Sequence, residues 1–286
     1  MRIETSTRTH HRRRLGRGPS YWVAWGIVGV AIVLTLFPVY WLFTISSKTA
    51  RDAFATPPVF IYKPDFGSYA QIWRSAGFGQ AFVNSVVVVT MGVTLALLVS
   101  VPAAYALARF RTKWRKPLAI WLLLAYMLPE FLFVIPMYVL YQQFHLYDTT
   151  IGLALMYQVF GIPLAVWILQ SFLSEVPRAL GEAAEIDGAT HWQTLVLVYI
   201  PVIVPGLAAT AILLAIFMWN ELSMALSLTF ENAKTVTVAV AGFRGYAAIK
   251  WDQMAAASIV AIAPMVLFAI IVQRHIVKGL TLGAVK

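Results

Sequence analysis

Three of the chain's 12 acidic residues lie within one stretch of six residues, in a protein whose net charge is +10. Glu182, Glu185 and Asp187 belong to the polar segment Val176-Pro-Arg-Ala-Leu-Gly-Glu-Ala-Ala-Glu-Ile-Asp-Gly-Ala-Thr-His-Trp-Gln193. Residues three apart share one face of a helix, so Glu182 and Glu185 form a paired acidic surface there. Carboxylates on an exposed helix are usually just solvated. This segment, however, separates two long apolar stretches, which makes it the best candidate for a surface that meets a partner.

Trp219, Asn220 and Glu221 form a second cluster of residues that could bind a ligand. Binding sites typically combine aromatic faces with a few polar groups, and amide and carboxylate groups can bind the hydroxyls of a sugar. The cluster therefore predicts a substrate contact at one end of an apolar stretch. A simple interfacial position at the end of a helix is the alternative.

Further polar residues interrupt apolar stretches singly. Glu130 is the least favourable of them energetically, because it is ionisable. An ionisable group within a membrane span by default indicates a pathway or a paired charge. A paired or neutralised Glu130 with a structural role is the alternative. Asn84, Ser85 and Gln158 could line a cavity, but each alone is more typical of a hydrogen bond between helices.

Residues for covalent catalysis or metal binding do not converge anywhere in the sequence. The chain has no Cys, and its His residues are spread over positions 10, 11, 145, 191 and 275. We therefore expect no catalytic residue and no metal site.

The composition indicates an integral membrane protein. Hydrophobic residues make up 60% of the chain, charged residues only 12%, and the mean hydropathy is +0.76. Soluble domains have about 25% charged residues. The basic residues flank apolar stretches instead of forming a nucleic-acid surface, since six Arg lie in the first 17 positions and five more basic residues lie between Arg109 and Lys116.

Six apolar stretches reach the ~20 residues that a helix needs to cross a bilayer. They cover about 21–45, 82–107, 118–141, 151–173, 200–222 and 254–273. Alternate sides of these spans carry 15 and 7 basic residues. The positive-inside rule then predicts that both termini and the 176–193 segment are cytoplasmic. The first span is too long for a signal peptide, whose apolar core has ~7–15 residues.

This topology gives a basic cytoplasmic arm at 1–20, a transmembrane domain at 21–273 and a cytoplasmic tail at 274–286. The loops at about 46–80 and 223–253 are then external. They are rich in aromatic residues, Pro and Gly, which suits contact with a partner outside the cytoplasm. Capping of the helix bundle is the alternative function for these loops.

The polar segment itself predicts two short helices around a turn. Pro177 suits the first position of a helix, and Gly188 suits the left-handed position that ends one. Thr190-x-x-Gln193 is a capping box that opens the next helix. Ala183, Ala184 and Ile186 provide a face that another surface can approach closely.

These residues resemble a known family. Glu182-Ala183-Ala184, Asp187-Gly188-Ala189 and the later Pro201 and Pro205 resemble the EAA signature of bacterial ABC importer permeases. The end of the chain, from Gln273-Arg274 to Val277–Lys286, resembles the carbohydrate branch of maltose- and trehalose-type permeases. Trp219-Asn220-Glu221 followed by Ala225-Leu226 is similar to that branch as well.

The resemblance implies an all-α, type I ABC importer permease fold of six transmembrane helices with a cytoplasmic coupling helix pair at about 176–200. In this family the pair sits in a cleft of a separate ATPase subunit, and the contact depends on the Glu and Gly of the motif, here Glu182 and Gly188. The implied contact set is Glu182, Ala183, Ala184, Glu185, Asp187, Gly188 and Ala189. Glu130, Asn84, Trp219, Asn220 and Glu221 form the expected substrate pathway.

The expected partners follow from the same resemblance. The sequence has no G-x-x-x-x-G-K-[ST] phosphate loop, so partner ATPase subunits would bind ATP and Mg²⁺, and this chain would hold no cofactor. A second permease, usually a different one in the carbohydrate branch, and an extracytoplasmic substrate-binding protein complete the assembly. The segment 242–252 is the expected location of contact with that binding protein.

The expected function is import of a di- or oligosaccharide by alternating access across the plasma membrane. Two alternatives stay open. Related permeases carry glycerol phosphate or phosphodiesters, although a strongly anionic solute would favour Arg or Lys inside the spans. An ion-coupled secondary transporter would not need a capped cytoplasmic helix pair.

Overall fold

The computed structural model describes residues 19–53, 55–57, 59–74, 77–110, 113–243 and 250–283, and these ranges contain helices and no strand. The predicted basic arm therefore lies almost wholly outside the described residues, as do most of 242–252 and the last three residues of the tail. The helices are α1 (Pro19–Ser46), α2 (Ala50–Ala53), α3 (Gly67–Arg74), α4 (Phe78–Arg109), α5 (Arg115–Met127), α6 (Phe131–Gln143), α7 (Thr150–Met156), α8 (Gln158–Glu175), α9 (Arg178–Ile186), α10 (His191–Gln193), α11 (Ile200–Asn220), α12 (Ser223–Leu228), α13 (Val236–Ala241) and α14 (Trp251–Gly283).

Among the described residues, four continuous helices are long and apolar enough to cross a membrane, and the number of candidate spans reaches six when each of two bent helix pairs is counted as one span. The continuous ones are α1, α4, α14 and a helix that runs from His191 to Asn220. The sixth span was predicted to end at residue 273, but α14 continues to Gly283. No Pro follows Pro264 in that helix, so the sequence contains no strong stop signal there.

The third predicted span, at about 118–141, consists of two helices and not of one. α5 and α6 meet at an angle of 91°. Pro129 explains the break, because a proline pushes the residue before it out of the helical region. Leu128 accordingly has an extended backbone, with ψ at 138°. Glu130 therefore lies at the break and not in the middle of a helix.

The fourth span bends less sharply, by 48° between α7 and α8. The Gln158 side chain lies at this bend and donates a hydrogen bond of 2.7 Å to the carbonyl of Ala154, within the preceding turn. A side chain that enters the helical ladder in this way is a known cause of kinks. The same amide donates to the carbonyl of Gly92 in α4 at 3.1 Å, so the predicted bond between helices is confirmed.

Small residues let three of the spans approach closely. Gly92 of α4 and Gly161 of α8 both lie against the side chain of Met218 from α11. An added Cβ would come within 2.7 Å of the Met218 sulfur at Gly92 and within 2.8 Å of its methyl carbon at Gly161. Small residues serve the same purpose in membrane helix interfaces generally. This contact anchors the larger of two buried clusters, which also includes α7, α12 and α13.

The second cluster lies at the other end of the same helices. It joins the last turns of α4 and α8 to the start of the fifth span, around Tyr105, Leu173 and Tyr199. α1, by contrast, is apolar on all sides and packs along α14, and its membrane-length window has no buried residue. Such a helix suits a lipid environment.

Candidate functional site

α9 is a short helix whose end is fixed by backbone geometry. Gly188 adopts a positive φ of 86°, which side-chain-bearing residues rarely adopt. This turn lets the N–H groups of Gly188 and Ala189 donate to the carbonyls of Glu185 and Ala184, at 3.0 and 2.9 Å. The predicted role of Gly188 as the helix terminator is therefore confirmed, and the turn is closed by hydrogen bonds.

The predicted capping box is also present. The Thr190 hydroxyl accepts a hydrogen bond from the Gln193 N–H at 3.3 Å, and the Gln193 side-chain oxygen accepts from the Thr190 N–H at 2.8 Å. An ion pair of 3.2 Å between His191 Nδ1 and Glu185 Oε1 links the two helices across the turn when His191 is protonated. The pair of helices is therefore a defined unit and not a slack loop.

The second helix of this pair does not end before the membrane. α10 continues through a π-helical turn, Thr194–Tyr199, directly into α11, so that the helix of the fifth span begins near His191, before the apolar stretch that starts near residue 200. π-helical turns are rare and often lie at functional sites. A movement of the turn at Gly188 is therefore connected to the fifth span without an intervening loop.

One face of α9 is open to solvent. Glu182, Ala183, Glu185, Asp187 and Gly188 are exposed, and Ala184 and Ala189 are half-buried. Ile186, on the same helix, is 85% exposed. On the opposite face of α9, Gly181 is buried, and a Cβ added at this position would meet the Tyr199 hydroxyl.

Arg109, the last residue of α4, contacts both the end of α8 and the π-helical turn before α11. Its Nη2 donates hydrogen bonds to the carbonyls of Leu173 and Val176 at the end of α8, the second at 2.6 Å. The guanidinium carbon lies 4.6 Å from the ring centre of Tyr199. The Tyr199 ring also packs against Tyr105 of α4, with 5.3 Å between the ring centroids. Sequence reasoning treated Arg109 only as part of a basic loop.

The Trp219–Glu221 cluster lies at the far end of α11, 21 residues and therefore about 30 Å from its start. The Glu221 carboxylate accepts hydrogen bonds from the N–H groups of Met224 and Ala225 at 2.8 and 3.0 Å, which caps α12. Glu221 is only 6% exposed. Trp219 is buried as well, and its indole N–H donates to the carbonyl of Ala261 in α14 at 3.1 Å.

Asn220 is the exposed member of this cluster and lies between cavities. A cavity of about 490 Å³ is bounded by Trp219 and Asn220 together with residues of α13 and α14. A neighbouring cavity of about 360 Å³ brings Asn220 and Glu221 together with Glu130, which a long sequence distance separates from them. A third, of about 430 Å³, lies between Glu130 and the Ser223 and Ser227 side of α12.

Asn84 makes contacts elsewhere and is not among the residues that line these cavities. Its amide nitrogen donates to the carbonyls of Asn232 and Lys234 at 2.8 and 3.1 Å, and its oxygen accepts from the Gln80 side chain at 2.9 Å. Ser85, one residue along, accepts from the N–H of Val236 at 2.8 Å. These contacts hold the segment after α12 against α4. A role for Asn84 in the substrate pathway stays a prediction.

Asp148 holds the same segment from the other side, and sequence reasoning did not identify it. Its carboxylate accepts hydrogen bonds from the backbone N–H groups of residues 230–233 and from the Asn232 side chain, at 2.8–3.2 Å. Burial by itself raises the pKa of Asp148, but these backbone N–H donors outweigh it and lower the pKa to about 2. No local sequence signal predicts this, since the partners lie more than 80 residues away.

Comparison with known proteins identifies the class of molecule to which these sites belong. Residues 92–282 match the family described as binding-protein-dependent transport system inner membrane component. This chain belongs to that family. The match covers α9, its turn and all spans after the middle of α4.

Among curated relatives, the trehalose transport system permease protein SugB of Mycobacterium tuberculosis is 37% identical over 92% of this chain and 97% of its own length. The trehalose/maltose transport system permease protein MalG of Thermococcus litoralis is 33% identical over 91% of this chain and 95% of its own. The similarity thus extends to nearly the whole of this inner membrane component.

A solved structure agrees on the fold. A chain in the crystal structure of a bacterial ABC transporter involved in the import of the acidic polysaccharide alginate superposes with a TM-score of 0.74. It is 20% identical, and the match covers 89% of this chain and 95% of that one. The broken third span and the α9 turn therefore occur in a chain with the overall architecture of an ABC importer permease.

Proposed function

We propose that this chain is one transmembrane permease subunit of an ATP-driven, binding-protein-dependent importer for a di- or oligosaccharide. The observation that carries the proposal is the capped α9 unit, which displays the Glu182-Ala183-Ala184…Gly188 pattern to solvent. This unit continues without a loop into a span whose far end borders two cavities. A docked ATPase at one end of this helix can thereby act on solute-binding space at the other.

The α9 face suits the surface of an ATPase subunit. The exposed Ile186 offers an apolar contact, and Glu182, Glu185 and Asp187 place negative charge around it. Apolar centres with polar rims are typical of protein interfaces. ATP and Mg²⁺ would be bound by that partner, and this chain would contribute the moving helix pair.

A neutral sugar fits the cavities better than an anion does. None of the described residues that line the three cavities near the end of α11 is Lys or Arg, whereas Glu130 and Glu221 supply carboxylates and Asn220 an amide. Ionised carboxylates at these positions would repel an anionic solute. Relatives named for trehalose and maltose transport support the same substrate class, and the glycerol-phosphate alternative lacks a cationic group here.

The excess of basic residues on one side supports cytoplasmic termini and a cytoplasmic α9. Arg109 and the start of α5 lie at that end of the spans, and Asp148 and the 229–235 segment lie at the other, where a binding protein would dock. A second, similar permease chain would complete the pathway, because six spans and one coupling unit form half of such an assembly. We propose a different chain in that role.

Purification with its partners tests this function. The tagged chain, extracted from native membranes in a mild detergent, should co-purify with an ATPase, a second permease and a substrate-binding protein. The complex in proteoliposomes should import a neutral oligosaccharide only with the binding protein outside and ATP on the ATPase side. Uptake that persists without ATP and collapses with an uncoupler would instead establish the ion-coupled alternative.

A further inference from the structure

We propose that Arg109 and Tyr199 form a mechanical joint that transmits movement of α9 to the ends of three spans. The proposal rests on the coupling role proposed above and adds the route by which the force leaves α9. Arg109 and Tyr199 act in it as positioning residues, because neither needs to touch ATP or substrate.

The first contact in this route is between α9 and the Tyr199 hydroxyl. Gly181 is buried, and a Cβ at that position would lie 3.1 Å from Tyr199 Cζ and 3.3 Å from Cε2, with the hydroxyl closer still. α9 therefore rests directly on the tip of the Tyr199 side chain. Because packed interiors are nearly incompressible, a push on α9 must displace this ring.

The second contact prevents the ring from yielding alone. Tyr199 is 2% exposed and is held between the Arg109 guanidinium, 4.6 Å from its ring centre, and the Tyr105 ring, 5.3 Å between centroids. A guanidinium stacked on an aromatic face is attracted to it, more strongly where water is excluded. Both of these neighbours belong to α4, so displacement of Tyr199 acts on the end of α4.

The third contact extends the route to α8. Arg109 donates two hydrogen bonds to the carbonyls of Leu173 and Val176, which end α8 and would otherwise lack helical partners. Charge-assisted bonds from a rigid guanidinium are both strong and directional. Tyr199 itself closes the π-helical turn that leads into α11. The ends of α4, α8 and α11 thus meet at two side chains behind α9.

A pair of compensating substitutions tests the joint. Gly181→Ala places a methyl group against the Tyr199 hydroxyl and should push α9 off its support, whereas Tyr199→Phe removes that oxygen and keeps the stacked ring. The readout is the amount of sugar imported per ATP hydrolysed in proteoliposomes containing the whole complex. A purely structural role would lower the yield of complex and leave this ratio unchanged.

We expect Gly181→Ala to lower the ratio at least threefold, and the double variant Gly181→Ala with Tyr199→Phe to recover at least half of the wild-type ratio. The proposed joint is overturned if Gly181→Ala imports as much sugar per ATP hydrolysed as the wild type. It is also overturned if the double variant imports no more sugar per ATP than Gly181→Ala does.

Arg109→Lys provides an independent second variant that does not depend on packing at Gly181. It keeps the charge but loses the planar group that stacks and donates in a fixed geometry. It should lower the sugar-to-ATP ratio while the ATPase co-purifies in normal amount, and Arg115→Lys in the neighbouring turn is the matched control. An unchanged ratio in Arg109→Lys overturns the proposal.

If wild-type complex imports no sugar with ATP, the proposed function itself fails, whatever the variants do.

Discussion

At the scale of single residues, the Asp148 carboxylate organises a loop that is distant in sequence. It satisfies several backbone N–H groups that would otherwise be left without acceptors in the 230–233 segment. Hydrogen bonds to a charged acceptor each contribute more than neutral ones. The two sides of this latch, at residues 148 and 230–233, connect two spans at the same end of the molecule.

Asp148→Asn should lower the stability of the purified protein by about 1–2 kcal/mol, once the effect is reduced for solvent screening. The folded-state pKa of Asp148, about 2, lies below the ordinary value of 3.8 for an aspartate. The stabilisation is therefore fully present above about pH 4 and is lost as pH falls towards 2. Thermal unfolding in detergent should show a melting-temperature difference between wild type and Asp148→Asn that is constant from pH 7 to 5 and narrows below pH 4.

Glu231→Gln is the matched control for that measurement, because it removes one negative charge from the same loop at an exposed position. Its melting temperature should stay within a degree of the wild type. A destabilisation equal to that of Asp148→Asn would show that net charge, and not the latch, is responsible.

Gly188 illustrates a residue whose importance is purely conformational. No atom lies within 4 Å of where its Cβ would be, yet its φ is 86°. A side chain at such an angle costs about 1–2 kcal/mol, and a proline cannot adopt it at all. Gly188→Ala should lower ATP-dependent uptake several-fold and Gly188→Pro should abolish it, with normal insertion into the membrane.

Gly29→Ala is the control for this prediction, since Gly29 also has open space around its Cβ position but lies within α1 at an ordinary helical angle. Uptake per inserted molecule should equal that of the wild type. Retained transport by Gly188→Pro would contradict the coupling role of the α9 turn.

At the scale of elements, the break between α5 and α6 has the clearest consequence for transport. Pro129 turns the chain by 91°, and the turn brings Glu130 to cavities that Asn220, Glu221 and Ser223 also line. A continuous helix would have left Glu130 within the third span as an isolated charge. Because of the break, Glu130 is not an isolated charge inside a helix but lines cavities that a polar solute can contact.

Glu130→Gln should weaken discrimination against anionic sugars, because it removes one of the two carboxylates while keeping the volume and the hydrogen-bonding capacity. We expect the uptake of a neutral oligosaccharide relative to its uronate analogue to fall several-fold, measured by competition in proteoliposomes. Ser227→Ala, which alters the lining of the same region without changing charge, should leave that selectivity unchanged. If Glu130→Gln had the same selectivity as the wild type, the assignment of Glu130 to the substrate pathway would be wrong.

Glu221 is less suited to such a test. Its carboxylate caps α12 through two backbone hydrogen bonds, so Glu221→Ala would disturb the 222–229 segment as well as the cavity. A loss of function there would not separate solute binding from local structure. The original expectation that Glu221 contacts substrate stays a prediction, and its structural role as a cap is the firmer observation.

At the scale of the whole molecule, the two buried clusters divide the bundle into a half that carries α9 and a half that carries the cavities and the Asp148 latch. α4, α8 and α11 each contribute residues to both clusters. This arrangement predicts that the exposed residues of the two halves face opposite sides of the membrane.

The natural absence of Cys allows this orientation to be measured with single reporters. Asp187→Cys and Glu231→Cys both replace exposed acidic residues, one beside the α9 turn and one beside the latch. A membrane-impermeant maleimide should label Glu231→Cys in intact spheroplasts and Asp187→Cys only after the membrane is opened. Labelling of both in intact spheroplasts would contradict the proposed topology.

The sequence by itself determined the spans, the helix–turn–helix at Gly188 and the family. These features depend on local properties: apolar length, a glycine at a left-handed position, and a Thr190–Gln193 cap whose partners lie three residues apart. The extent of each helix was less well determined. The helix of the sixth span continues past the predicted end of its apolar stretch, and the helix of the fifth begins before the start of its own, because the flanking residues are compatible with helix in both cases.

Only the tertiary structure decided which distant residues act together. Glu130 lines one cavity together with Glu221, Asp148 binds residues 230–233, and Arg109 contacts Tyr199 and the end of α8. Each pairing joins side chains or carbonyls separated by 60 or more residues, and a periodic pattern along one helix does not specify the face of another helix that it will meet. Packing of small residues such as Gly92 and Gly161 around Met218 sets those faces, and with them the route from α9 to the cavities.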